Sequence, residues 1–113
     1  MEGPAKSVVV LVTAPTAEKA AEIGRAVVEE GLAACVNVLP ECRSVYRWEG
    51  KLEHATEVPL LIKTTRGAYP ELEQALRKSH PYELPEIVAV PVAAGLPDYL
   101  NWVAQETQPR NQA

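Results

Sequence analysis

Hydrophobic spacing changes period several times along the chain, and each change marks an element. Val8 to Ala14 is continuously apolar or β-branched, as a strand buried on both faces requires. Pro15 ends it and Thr16 is a good N-cap for the helix that follows. In "TAEKAAEIGRAVVEEG", Ala20, Ile23, Gly24 and Val27 share one face at helical spacing, while Glu18, Glu22, Arg25 and Glu29 share the other. Gly31 suits the left-handed position after its last turn. The period then drops to two. Leu32 to Leu39 reads as a strand, Pro40 kinks it, and Ser44 to Trp48 resumes it. "WEGK" is a tight turn with Gly50 at its tip, and Lys51 to Thr65 is the returning strand. Leu52, Val58, Leu60 and Ile62 should point one way and Glu53, Glu57 and Lys63 the other. Pro59 implies an edge or a bulge.

A second helix spans Ala68 to Lys78, with Tyr69, Leu72, Ala75 and Leu76 inward and Pro70 in its first turn. Ile87 to Val92 is another strand. A last helix starts at Pro97 and Asp98, with Leu96, Tyr99, Trp102 and Val103 facing in, and the tail frays from Gln108. The order β-α-β-β-α-β-α predicts an α+β fold: a ferredoxin-like βαββαβ antiparallel sheet with helices on one face, plus a C-terminal helix. One domain should span 1–113, with an ordered core from about 7 to 107.

Such a sheet has a second face. Val36, Val38, Val58, Leu60 and Ile62 would meet the helices, turning Cys35, Asn37, Glu57, Leu61 and Lys63 outward, with Ile87 and Ala89 beside them. That face is too apolar to be simply solvated. The Lys51–Thr65 strand is also far longer than the usual length of about five or six residues. Both features predict self-association through strand edges and bare faces.

Composition narrows the partners. Apolar residues are 47% of 113, with no Phe, so the chain folds around Val, Leu, Ile and Ala. The net charge of -4 argues against nucleic acid or an anionic membrane as the main partner. The apolar run near the N-terminus is too short for a signal peptide or a membrane span, which predicts a cytoplasmic protein whose Cys35 and Cys42 are reduced. No phosphate-binding loop, Ser-His-Asp pattern or HExxH motif occurs.

Six ordered blocks carry a resemblance: "VTAP", "GLAACVN", "YRWEGKLE", "LLIKTT", "HPYELPEI" and "DYLNWV". Together they resemble the CutA family, the divalent-cation tolerance proteins, from about Val8 to Thr107. The resemblance implies a homotrimer with an architecture similar to PII signalling proteins, a role in tolerance of copper or other divalent metals, and no catalytic activity. Some relatives carry paired histidines before the Pro-Tyr of the turn; here Ser79 precedes His80.

Candidate residues follow. Pro81 and Pro85 fix the path of "SHPYELPEI", holding His80 and Tyr82 near one end of the sheet. With Cys35, Trp48, Glu57 and Lys63 they make a candidate inter-subunit cleft for a metal ion or small molecule. His80 and Cys35 are the candidate metal ligands, with Cys42 as the other thiol and Glu83 and Glu86 as weak oxygen donors. Such donors would favour copper over magnesium or calcium. No cofactor is required. Each has a plainer reading: Cys35 as a small buried hydrophobe, His80 as a helix-end histidine, His54 as a surface residue, and Glu57 and Lys63 as interface ion pairs. The alternative function is a small enzyme with an inter-subunit acid/base site using Lys63, Glu57 and Tyr82.

Overall fold

A computed structural model describes residues 6–107. Eight elements follow in order: β1 (Ser7–Ala14), α1 (Ala17–Glu29), β2 (Cys35–Val38), β3 (Cys42–Trp48), β4 (Lys51–Thr65), α2 (Tyr69–Ser79), β5 (Ile87–Pro91) and α3 (Pro97–Glu106). The sheet is antiparallel in the order β2-β4-β1-β5, and β3 also pairs with β4. This is the ferredoxin-like arrangement, with the second strand split in two. Residues 108–113, where the fraying tail was expected, lie outside the described residues. No helix among those described is long and apolar enough to cross a membrane.

The helix-facing side of the sheet is built from alternate residues. Val8, Val10, Val12 and Ala14 of β1 and Val58, Leu60 and Ile62 of β4 pack against Ala20, Ile23 and Val27 of α1 and Leu72 and Leu76 of α2. The Thr16 hydroxyl accepts from the Lys19 amide at 3.0 Å, capping α1. Gly31, at φ 74°, turns the chain out of that helix. Leu32 and Ala33 donate back to the Val27 carbonyl instead of entering a ladder, so β2 begins at Cys35 rather than Leu32.

Pro40 does break the second strand, and the break explains Pro59. β2 pairs with β4 down to Val38 opposite Leu60; β3 resumes at Cys42 opposite Glu57. Pro59 falls between, with its carbonyl accepting from Leu39. A strand residue's N–H points the same way as its C=O, so the donor missing from Pro59 faces the gap. Pro59 therefore sits in a central strand, not at an edge.

Four expectations of facing change. β1 ends opposite Val58, so Leu52, expected inward, lies on a ribbon that no helix covers and is 61% exposed. Val38, at the far end of edge strand β2, is also exposed. Ile87 and Ala89 pack on the helix-side core; Val88 and Val90 are the β5 residues on the open face. In α3 only Val103 is buried, while Leu96, Tyr99 and Trp102 are exposed. α3 lies against β4 and β1, with Tyr99 close enough to Cys35 to interact with its thiol, on the side away from α1 and α2. It shelters part of that second face and leaves the rest open.

Candidate functional site

Glu57 is the first residue of β4 beyond the end of β1. There β4 leaves the sheet and continues with β3 alone as a two-stranded ribbon. Glu49 and Gly50 both have positive φ at its tip, as a type I′ turn requires. That two-residue turn sets the register: Trp48 opposite Lys51, Tyr46 opposite Glu53, Ser44 opposite Ala55, Cys42 opposite Glu57. Ser44, Tyr46 and Trp48 therefore share one ribbon face with Glu53 and Glu57.

The connection after α2 closes over this face. His80 is buried, and its Nε2 lies 2.7 Å from the Thr13 carbonyl, while the Tyr82 amide lies 3.2 Å from its Nδ1. A carbonyl only accepts and an amide N–H only donates. The partners thus assign the ring proton to Nε2 and leave Nδ1 as the acceptor. Tyr82 packs its ring against His80 with centroids 4.7 Å apart. Its hydroxyl donates to Glu57 Oε2 at 2.9 Å, and Ser44 donates to Glu57 Oε1 at 2.6 Å. Glu57 is buried, at 7% exposure, so one carboxylate ties β3, β4 and the turn together.

Burial, first, and then the hydrogen bond to Glu57 and the carboxylate's charge push the Tyr82 phenol up to about 12, with Tyr46 adding a smaller push. Beside this cluster Tyr46, Trp48, Tyr82, Glu83 and Leu84 line an open groove of about 310 Å³.

The six cleft residues expected from the sequence form two groups. Glu57, His80 and Tyr82 meet directly, and Trp48 lines the adjoining groove. Cys35 and Lys63 are paired across β2 and β4, on the open sheet face. Lys63 donates to Asn37 there, and the thiol of Cys35 meets Tyr99. Burial chiefly, and then Cys35, raise the Tyr99 phenol. The acid/base trio is thus divided, with Glu57 on Tyr82 and Lys63 on Asn37.

As a metal centre the donors of one chain do not fit. Both ring nitrogens of His80 are engaged, and among the described residues no three His, Cys, Asp or Glu side chains converge so as to hold an ion. Cys35 and Cys42 are both free thiols.

Ser44, Tyr46 and Asn37 were not among the expected site residues. Counting outward from the two-residue turn would have put Ser44 and Tyr46 on the Glu57 face. Thr13, which orients His80, had no such signal, because it lies 67 residues away.

The family model for the CutA1 divalent ion tolerance protein matches residues 8–106. The Divalent-cation tolerance protein CutA of Thermus thermophilus is 48% identical over 99 residues, covering 88% of this chain and 96% of that one. Protein CutA of Mus musculus is 50% identical over 97 residues, covering 86% of this chain but only 55% of the mouse protein. The solved structure of the Thermus thermophilus divalent cation tolerance protein (Cut A1) superposes with a TM-score of 0.89 at 47% identity, covering 90% of this chain and 99% of that one.

Proposed function

The chain belongs to the CutA1 divalent ion tolerance family, and from that premise we propose that it acts as a non-enzymatic homotrimer whose working surface forms between copies, in a PII-like architecture. The carrying observation is the uncovered apolar surface. Val88 and Val90 are 49% and 44% exposed on the open sheet face, with Tyr99 and Trp102 exposed on neighbouring α3. A surface of this kind needs a partner, and a second copy offers the same apolar chemistry.

In this reading divalent ions bind at donors drawn from more than one copy. Cys35, on the open face, is the thiol best placed to contribute, and copper outranks magnesium or calcium for such donors. His80 serves the fold first, because a metal on its ring would have to displace Thr13 or Tyr82. The division of Lys63 from Glu57 and Tyr82 supports a binding role over proton-transfer catalysis.

The test is a calorimetric titration of copper(II) and magnesium into the wild type and a Val88→Asp/Val90→Asp variant. The wild type should take up copper in preference to magnesium, and the variant should bind copper at least tenfold more weakly with an unchanged circular dichroism spectrum. Equal copper affinity in both proteins would put the site inside one chain. No copper uptake by the wild type would overturn direct binding and move tolerance to a docked partner protein.

A further inference from the structure

The groove beside Glu57 brings aromatic and acidic side chains together. It is lined by the aromatic residues Tyr46, Trp48 and Tyr82, with Leu84 as an apolar neighbour. Glu83 lines it, Glu57 anchors Tyr82 beside it, and Glu53 stands across the strand pair from Tyr46 on the same ribbon face. The nearest cation on that face is Lys51, opposite Trp48 at the exposed ribbon tip and outside the lining. One carboxylate and three aromatic residues therefore line one small concavity, with Glu57 bound to one of those residues and Glu53 opposite another.

Aromatic faces attract cations through the ring quadrupole, and large, weakly hydrated ammonium ions lose least on leaving water. Rings offer no lone pair in their plane for a transition metal, so this wall selects organic cations over copper. The Tyr82 ring suits the role especially. Its hydroxyl donates to the Glu57 carboxylate, which draws the proton's charge away from the phenol and leaves the ring face richer in electrons. The same bond, with the His80 contact, holds the ring in place before any ligand arrives. A volume of about 310 Å³ lies at the small end for ligand pockets and fits a compact head group.

We infer that the Tyr46–Trp48–Tyr82 groove, with Glu83 at its rim, is a binding site for a small alkylated ammonium ion. All five lining residues belong to one chain, and the binding is read on the protein as it assembles, separately from copper uptake.

Tetramethylammonium chloride is the probe, followed on the indole N–H signal of Trp48 in a proton–nitrogen correlation spectrum, with Trp102 as internal control. Tert-butanol is the uncharged isostere, and sodium chloride controls for ionic strength. Tetramethylammonium should shift the Trp48 signal saturably, with half-saturation in the millimolar range and no matching shift at Trp102. Trp48→Leu, followed through the amides of residues 82–84, should weaken binding roughly tenfold. Glu83→Gln should weaken it about threefold. Tyr82→Phe keeps a ring but loses its anchor, and should also bind more weakly than wild type. A linear, unsaturated response to tetramethylammonium, an equal response to sodium chloride, or equal affinity for tert-butanol would overturn the proposal. So would unchanged binding in Trp48→Leu.

Discussion

Glu57 is a buried carboxylate satisfied by two hydroxyl donors, Ser44 and Tyr82. Burying such a charge costs several kcal/mol unless every acceptor is met, so Tyr82 is held where it is by its hydrogen bond as well as by packing. Its phenol should titrate near 12 in the folded protein, against about 10 in the unfolded chain. The folded value is the higher one. Its contribution to stability is therefore fully present below about pH 10 and is lost as pH rises through about 12. In a tyrosinate absorbance titration, Tyr82→Phe should remove a component near 12 and leave the others in place. A wild type lacking that late component would contradict the Glu57 contact. The residue types of this cluster were visible in "SHPYELPEI", but its partners were not. The acceptor for His80 is a main-chain carbonyl at the far end of β1, and no local pattern announces a backbone oxygen.

Elements were legible wherever a repeating period met a covering layer. Ala20, Ile23, Gly24 and Val27 mark the α1 face correctly, and all four are buried. Gly24 has a specific reason to be glycine: a Cβ built there would lie 3.1 Å from Val36 Cγ1 on β2. Gly24→Ala gains about 1 kcal/mol of helix propensity but incurs overpacking of about 1–3 kcal/mol. Val36 is β-branched and fixed in a strand, so it yields little. The net effect should be a loss of about 1 kcal/mol in urea unfolding. Adding Val36→Ala to Gly24→Ala should make the two changes less costly than their separate losses together, because the clash is removed. Strict additivity would mean that the helix–strand contact is looser than the geometry shows. Alternation was less informative on β4. It sorts side chains into two faces but does not say where the layer above a face stops. Leu52 follows the same parity as Leu60, yet lies out on the ribbon past the end of β1. Leu96, Tyr99 and Trp102 failed for a related reason: an amphipathic helix turns its apolar side to whatever will cover it, and that need not belong to the same chain.

At the scale of the whole molecule the chain is elongated, 45 by 28 by 24 Å, because the ribbon projects from the sheet. A lone two-stranded ribbon is marginal in water, and this one gains support at its base from the Ser79–Ile87 connection. The length of β4 and the apolar character of its second face were readable from the sequence, and both point to self-association. Which copy covers which surface was not readable, since a single chain's pattern records only that a surface is apolar. The central claim is that these surfaces meet in a closed assembly of three. Sedimentation equilibrium across a range of micromolar concentrations tests it most directly. The expected result is a single species at three times the 12.3 kDa chain mass. A soluble, folded species at the mass of one chain throughout that range would contradict it.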